Sequence, residues 1–251
     1  MELLESTWTE AAGTETDLAV LPVGSTEQHG PHAPLGTDVF TARAVARTAV
    51  ARSSADVVVG PAIPVGIAAE HRHFSGSLWV SEDTLRAYVR ETCESLAAHG
   101  WDRIVLVNGH GGNVDALREL CGQLTRERTA YAVPFTWFDA VDPAELGKPA
   151  LEMGHGGPLE TSLLQHLEEE HIRTDRLEAA AAGAADRWGE WQSGVNLAYD
   201  TVEFSENGVV GDPTAGAAEF GAKLLDAAAA QLTDLLAVVE QRELSRPDGE
   251  K

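Results

Sequence analysis

The chain has 251 residues, of which 40 are acidic and 18 are basic, so its formal net charge at pH 7 is -22. A charge of this sign repels phosphate backbones and anionic lipid surfaces, which argues against nucleic acid and membranes as partners. The 43% hydrophobic content allows an ordinary globular core, and no linker or repeat divides the chain. We therefore predict one domain over residues 1–244, followed by a polar tail over 245–251.

The charged residues and the termini also predict where the protein works. Only three of the basic residues are Lys, a bias that favours a halophilic host, although an Arg-rich genome offers a simpler explanation. The N-terminal residues lack the basic and apolar segments of a secretory signal, and no run of 18 apolar residues occurs, so we expect a cytoplasmic protein. Cys93 and Cys121 have no CxxC partner and are expected to be reduced core thiols.

Short apolar runs alternate with amphipathic stretches along the chain. The predicted strands cover residues 18–23, 56–59, 103–107 and 130–133, and the predicted helices cover 40–52, 81–99 and 114–126. Further helices are predicted to begin near Leu159 and to run from Pro213 to about Gln241. Strands that alternate with helices in this way predict an α/β fold with a mostly parallel sheet covered on both faces. Residues 137–153 and 188–211 have no clear period and are predicted to be long loops near a functional site.

The first polar segment follows the first predicted strand and holds four side chains that can bind metal ions. Glu27, His29, His32 and Asp38 lie within 12 residues, where a parallel sheet presents its carboxyl-end loops. Carboxylates with imidazoles and no thiolate suit zinc, manganese or iron. A surface loop with incidental histidines is the alternative, and the crowding of the four residues favours ligands.

The second segment places His110 between glycines, directly after the hydrophobic strand at 103–107. Such a turn is expected to project His110 into the same crevice. The bare amides of Gly111 and Gly112 could instead bind phosphate in a non-catalytic nucleotide-binding module. This alternative is disfavoured because neither GxxxxGKS nor GxGxxG occurs, but it stays open.

The third segment has His155 before a predicted helix and Glu160 in its first turn, where the helix dipole alone would also favour an acid. The three segments together supply enough ligands for two divalent cations that share Asp38 and activate one water molecule. The five candidate ligands are Glu27, His29, Asp38, His110 and Glu160.

These segments read GSTEQHGPHAPLGTD, NGHGGN and HGGPLETS, and in this order and spacing they resemble the signature stretches of the creatininase (creatinine amidohydrolase) family. The resemblance implies a creatininase-like fold and a homo-oligomer, usually a hexamer. It also implies one cation on Glu27, Asp38 and His110, and a second on His29, Asp38 and Glu160, with His155 handling the proton. Creatinine hydrolases carry a carboxylate where this chain has Gly112, so the role of Glu160 is less secure and creatinine activity does not follow.

The resemblance implies a metal-dependent hydrolase that cleaves an amide or formamide of a small molecule, with a preference for non-peptide bonds. The salt-adapted composition favours a formylamino-pyrimidine ribonucleotide of archaeal riboflavin and F420 synthesis. Creatinine and the mycofactocin precursor peptide are alternatives, and the peptide is disfavoured because its hydrolases typically carry HAG where this chain has Gly156. A structural protein that keeps metal only for stability is a third class, which chelation would unfold.

Several other side chains have two interpretations. His32 either orients a ligand or lies in a loop, and His71 and His73 either line the substrate pocket or are solvated. His99, His166 and His171 are predicted to be at the surface. The tryptophans at 137, 188 and 191 could stack on a flat substrate, although burial is the commoner fate.

Overall fold

The structure is a computed structural model, and it describes residues 1–242. Its main sheet has four parallel strands in the order β2-β1-β3-β4. The strands are β1 (Leu18–Val23), β2 (Val58–Val59), β3 (Arg103–Asn108) and β4 (Tyr131–Thr136). All four run in one direction, so their carboxyl ends meet at a single edge of the sheet.

Seven α-helices occur among the described residues. They are α1 (Trp8–Ala12), α2 (Thr37–Arg52), α3 (Glu82–Ala98), α4 (Val114–Glu127), α5 (Pro158–Leu167), α6 (Leu177–Ala182) and α7 (Ala218–Gln241). Helices α2, α5 and α7 pack on one face of the sheet, and α3 and α4 pack on the other. The predicted α/β class, with a parallel sheet between two helical layers, is confirmed.

Strands β1, β2 and β3 are buried on both faces, as their near-continuous apolar sequences require, and the edge strand β4 is only partly buried. Along β1, Leu18 and Val20 belong to the core under α2, α5 and α7, whereas Ala19 and Leu21 belong to the core under α3 and α4. Strand β3 alternates in the same way. Because helices pack on both faces, the sheet is held rigidly, and so is its carboxyl edge, where the polar segments lie.

The element boundaries differ from the predicted ones in a few places. Helix α2 begins at Thr37 rather than at residue 40, because the Thr37 amide and hydroxyl both donate to the Pro34 carbonyl. Strand β4 continues to Thr136, and α7 begins at Ala218 after a separate 3-10 turn at Pro213–Ala215. Ser81 caps α3 as expected, since its hydroxyl accepts from the Thr84 amide at 3.3 Å.

The two long irregular segments contain only short elements. Residues 137–140 form a 3-10 turn, and a small antiparallel hairpin pairs β5 (Trp191–Gln192) with β6 (Val195–Asn196). The predicted tail over 245–251, and its border at residue 244, lie outside the described residues. Within residues 1–242, no helix is both long enough and apolar enough to span a membrane.

Candidate metal centre

The candidate ligands meet at the carboxyl edge of the sheet although they come from three distant segments. Glu27 and His29 follow β1, and Asp38 lies in the first turn of α2. His110 follows β3, and Glu160 lies in the first turn of α5. All five side chains are buried. The sequence-predicted set is therefore brought together as one cluster.

Asp38 lies between two halves of this cluster. One of its oxygens is 3.3 Å from His110 Nδ1, and the other is 3.0 Å from His29 Nε2. On the His110 side, Glu27 Oε1 is 3.1 Å from Nδ1, and on the His29 side, Glu160 Oε1 is 3.7 Å from Nε2. Asp38 can thus serve two neighbouring cation positions, each completed by a histidine and a second carboxylate.

Backbone carbonyls orient both histidines. His29 donates from Nδ1 to the Glu27 carbonyl at 3.2 Å, and His110 donates from Nε2 to the Ile67 carbonyl at 2.6 Å. Because the anchored nitrogen carries the proton, the opposite nitrogen of each neutral ring presents a lone pair to the carboxylates. A lone pair that faces carboxylate oxygens is repelled unless a cation lies between them, and this anchoring is typical of metal-binding histidines.

The buried acceptors support the same conclusion. Among the described residues, the buried side-chain atoms without a hydrogen bond include both carboxylate oxygens of Glu27, Oδ2 of Asp38 and Nε2 of His29. Burying polar atoms without partners is costly, and a buried carboxylate costs more than a neutral group. The donor set of carboxylates and imidazoles is one that divalent zinc, manganese or iron would satisfy, so the residues fit the two cations that the sequence predicts.

The electrostatics of the cluster show how strongly it attracts positive charge. Burial opposes the charged form of His29, but Asp38 and Glu160 outweigh it and raise the pKa of His29 well above its ordinary value. For His110, burial is likewise outweighed, by Glu27 and Asp38, and its pKa is also raised. Burial opposes ionisation of Asp38, yet the two histidines lower its pKa. The carboxylates therefore favour positive charge at both histidines, and divalent cations bound to the ring lone pairs would supply it.

His155 lies against the cluster, with one ring nitrogen on a backbone carbonyl and the other toward Glu27. Its Nε2 donates to the Gln28 carbonyl at 2.6 Å, and its Nδ1 is 3.8 Å from Glu27 Oε1. The ring packs on His29 with centroids 4.2 Å apart. Burial, followed by the nearby His29, lowers the pKa of His155. It is therefore a neutral imidazole whose free lone pair faces the site.

His71 is a member of the site that the sequence left ambiguous. It is buried, its Nε2 is 3.4 Å from Glu27 Oε1, and its ring stacks on His155 with centroids 4.4 Å apart. Of the two interpretations that the sequence allowed for His71, the structure supports the one in which it lines the pocket. By contrast, the nearby His73 is exposed, and its Nε2 is 3.2 Å from a carboxylate oxygen of Asp200.

The remaining ambiguous side chains divide into buried and exposed groups. His32 is buried, and its Nε2 is 2.9 Å from the hydroxyl of Thr161, the neighbour of Glu160. Burial, followed by His29, lowers the pKa of His32 to about 4. The histidines at 99, 166 and 171 are exposed. Trp137 is buried, whereas Trp188 packs edge-on against His71 and His155.

A cavity of about 930 Å³ opens onto the cluster. Asp38, His71, His110, His155 and Glu160 reach it from the site, and both long irregular segments contribute to its wall. Its apolar lining includes Phe138, Leu151, Met153 and Trp188. Six carboxylate side chains and one guanidinium, that of Arg187, line it. The six carboxylates are Asp38, Glu70, Glu152, Glu160, Asp186 and Asp212.

Gly112 stands where the family resemblance implies a carboxylate in creatinine hydrolases, and the local structure explains why it has no side chain. A Cβ atom there would lie 2.2 Å from the Ile67 carbonyl oxygen and 2.5 Å from His110 Nε2. The carboxylate of Glu70 occupies the adjoining space, 3.3 Å from the same point. The segment that anchors His110 thus fills the room that a carboxylate at 112 would need.

A fold with this sheet and a shared-carboxylate cluster at its carboxyl edge is typical of metal-dependent hydrolases. The chain matches the creatininase family, described as creatinine amidohydrolase, over residues 4–236. It is 36% identical to a mycofactocin precursor peptide peptidase of Mycobacterium tuberculosis, with 99% of this chain and 94% of that protein covered. It is also 33% identical to a creatinine amidohydrolase of Pseudomonas putida, over 69% of this chain and 74% of that protein.

Solved structures give the same result. A creatinine amidohydrolase (creatininase) superposes with a TM-score of 0.80 at 25% identity, covering 96% of this chain and 98% of that one. Related creatininase structures are described as a Zn-Zn type, with a TM-score of 0.82, and as an Mn form, with a TM-score of 0.78. The chain belongs to the creatininase family and is a metal-dependent amidohydrolase. The resemblance inferred from the three motifs is confirmed.

Proposed function

We propose that this amidohydrolase binds two divalent cations and cleaves an amide bond in a short peptide or a peptide-like molecule. Glu27, Asp38 and His110 would hold one cation, and His29, Asp38 and Glu160 the other. One observation carries the proposal: both carboxylate oxygens of Glu27, Oδ2 of Asp38 and Nε2 of His29 are buried without a hydrogen-bond partner. His29 and His110 each face a different oxygen of Asp38. Two cations, when bound, supply a polarised carbonyl and a water of lowered pKa.

The protein's own contribution to the reaction centres on His155. Its Nε2 proton is committed to the Gln28 carbonyl, so Nδ1 is the atom that can accept a proton and pass it to the departing nitrogen. Burial keeps the ring neutral by lowering its pKa, which suits an initial acceptor. Glu160 also accepts from the Gly156 amide at 2.6 Å, which fixes its carboxylate beside His29.

The cavity lining favours a peptide over a ribonucleotide. A nucleotide phosphate is usually bound by several cationic or amide donors. Outside the proposed metal ligands, the cavity lining has four carboxylates, Glu70, Glu152, Asp186 and Asp212, against Arg187, which is an unfavourable environment for a dianion. The apolar wall and the volume of about 930 Å³ suit the side chains of a short peptide. The full-length similarity to mycofactocin precursor peptide peptidases supports the same class. The formylamino-pyrimidine ribonucleotide is kept as a competing prediction.

The Gly156 departure from HAG is compatible with peptide cleavage. Gly156 has a φ of +56°, and a Cβ there would lie 2.8 Å from the His29 carbonyl oxygen. An alanine would be strained in this backbone conformation, and a small backbone shift would relieve the strain. The difference between Gly156 and an alanine therefore affects only the local backbone conformation, and no polar group of the cavity is lost.

A substrate panel tests the proposal. Protein loaded in turn with zinc, manganese and iron(II) is incubated with a mixture of short synthetic peptides, with creatinine and with the formylamino-pyrimidine ribonucleotide. Peptide products are followed by mass spectrometry, creatine by chromatography and formate by an enzymatic assay. We expect peptide cleavage; formate release alone would favour the competing substrate, and creatine release would favour the creatinine alternative.

Matched variants assign any turnover to the cluster. Asp38→Asn should abolish turnover, whereas Asp115→Asn, at a highly exposed carboxylate on α4, should leave it unchanged. A non-catalytic nucleotide-binding module predicts a different outcome. It would purify without stoichiometric metal, and Asp38→Asn would leave its nucleotide affinity intact. That combination would contradict the proposal.

We also propose a homo-hexamer, as the family resemblance implies. Large apolar side chains are exposed around the β5–β6 hairpin, including Trp191, Val195, Leu197 and Tyr199. A cluster of exposed apolar residues is typical of an interaction surface. Light scattering of the purified protein checks the state, and a monomeric mass at all concentrations would contradict this assembly.

A further inference from the structure

Four histidines lie in or against the cluster. Three of them donate from one ring nitrogen to a backbone carbonyl, whereas the fourth accepts from a side-chain amide. His29, His110 and His155 each have one ring nitrogen on a backbone carbonyl, which requires a proton on that nitrogen. In each case the other nitrogen, with its lone pair, faces the carboxylates. His71 instead has its Nδ1 on the side-chain amide of Gln28 at 2.8 Å.

The orientation of the Gln28 amide is fixed by the backbone. Its Oε1 accepts from the Gly30 amide at 2.8 Å, and its Nε2 donates to the Gly208 carbonyl at 3.0 Å. A flipped amide would place two donors together at Gly30 and two acceptors together at Gly208. The second Nε2 hydrogen of Gln28 therefore points to His71, and Nδ1 of His71 is an acceptor. The Thr201 hydroxyl, 3.0 Å from the same nitrogen, can donate as well.

The proton of the neutral His71 ring consequently lies on Nε2. This nitrogen is buried, reaches no hydrogen-bond partner among the described residues and is 3.4 Å from Glu27 Oε1. His71 also lines the cavity. Its spacing to Glu27 and His155 would permit a third metal position. A protonated Nε2 cannot bind a metal ion, so the hydrogen-bond network argues against that position.

We propose that His71 is a catalytic hydrogen-bond donor, and that its Nε2–H binds the carbonyl oxygen of the substrate amide as negative charge develops there. The proposal rests on the proposed amide hydrolysis. An N–H whose direction is fixed before the substrate binds stabilises the developing charge without a cost of reorganisation. Gln28 and Thr201 are then positioning residues, because they set which nitrogen of His71 carries the proton.

The first test measures the tautomer and needs no substrate. Protein labelled with ¹⁵N-histidine and loaded with zinc is studied by long-range ¹⁵N–¹H NMR, and the His71 signals are assigned by their loss in His71→Leu. We expect a neutral ring with the proton on Nε2 and an unprotonated Nδ1. A proton on Nδ1, or a zinc-bound Nε2, would overturn the assignment even if no turnover were found for any amide.

The second test separates a donor from a ligand by metal analysis. His71→Leu, His71→Gln and the surface control His166→Leu should each retain the metal content of the wild-type protein by elemental analysis. His29→Leu should lose metal. Loss of metal from folded His71→Leu would overturn the proposal, because it would make His71 a ligand.

The third test uses the best substrate of the panel. His71→Leu should lower kcat by about 10²- to 10³-fold with little change in KM, the range found when one oxyanion donor is removed. His71→Gln, whose amide can place an N–H near the same point, should recover part of the loss. Wild-type kcat in folded His71→Leu would overturn the proposal. Absence of turnover in the wild-type protein would contradict the proposed function instead, and the tautomer would still decide the assignment of His71.

Discussion

The cluster of candidate metal ligands and the hydrophobic core beside it are equally shielded from solvent, but the buried groups of the cluster lack the partners that those of the core have. Leu21 and Leu106, in the core under α3 and α4, are fully buried, as are Glu27 and His29 in the cluster. Removing apolar groups from water stabilises the fold by about 25 cal/mol per Å². Burying carboxylates without partners has the opposite effect. The core is therefore complete as protein alone, whereas the proposed cations would complete the cluster.

Removal of the proposed cations should have the largest effect, because it should abolish turnover at the cluster and leave the core folded. A chelator is expected to lower turnover by more than about a thousandfold, which corresponds to about 4 kcal/mol of transition-state stabilisation. The far-ultraviolet circular dichroism should stay that of a folded α/β protein, because the sheet and helices pack independently of the cluster. Re-addition of the metal should restore turnover. Unfolding at room temperature on chelation would instead make the cations structural.

Stoichiometry then tests the shared role of Asp38. Asp38→Asn should remove both cations, because the two oxygens of this carboxylate face the two halves of the cluster. Glu160→Gln should remove only the cation on the His29 side. Elemental analysis of the folded variants, with Asp115→Asn as the control, measures the difference. Equal metal content in Asp38→Asn and Glu160→Gln would contradict a shared carboxylate.

A substitution in the core should lower stability and leave metal binding unchanged. Leu163 lies on α5, one turn beyond Glu160, and is fully buried in the core. Leu163→Ala is expected to lower the free energy of unfolding by about 2–5 kcal/mol, because it leaves a cavity. The folded variant should still bind the wild-type amount of metal. Leu4→Ala, at an exposed position outside the proposed interaction surface, is the matched control for chemical denaturation.

The loop between core and cluster offers a paired comparison at adjacent glycines. Gly112→Ala would place a Cβ 2.2 Å from the Ile67 carbonyl oxygen, which anchors His110. A Cβ at Gly111 meets nothing within 4 Å. We expect Gly112→Ala to lower stability by about 1–3 kcal/mol and to weaken metal binding on the His110 side. Gly111→Ala should change neither quantity in denaturation and metal titration, and equal effects would refute the packing argument.

The sequence predicted the fold and the cluster because both depend on local patterns. Apolar runs of four to six residues located the strands, and polar residues directly after them had to meet at the carboxyl edge of a parallel sheet. His71 was not assigned, because its position depends on contacts with Gln28 and Thr201, 43 and 130 residues away. No local pattern encodes such contacts. The formylamino-pyrimidine substrate stays a prediction for a similar reason: the cavity lining that selects the substrate is assembled from distant loops.

The smallest predicted effect concerns the two thiols. They belong to the core under α3 and α4 and are not candidate metal ligands. Cys93 on α3 and Cys121 on α4 are buried, as expected, and burial raises the pKa of each thiol to about 12. At pH 8 the reactive thiolate is therefore only about one part in ten thousand. We expect negligible labelling by a disulfide reagent in the native protein and reaction of both thiols after denaturation.

The same thiols can report whether the core is independent of the cluster. Because their folded pKa exceeds the unfolded value of about 8.5, their contribution to stability is complete below that pH and is lost as the pH rises toward 12. Labelling at pH 8 should therefore stay slow when the cations are chelated, since the neutral thiols remain packed between α3, α4 and the sheet. Fast labelling on chelation would mean that the cations hold the core together, and the distinction between the two regions would fail.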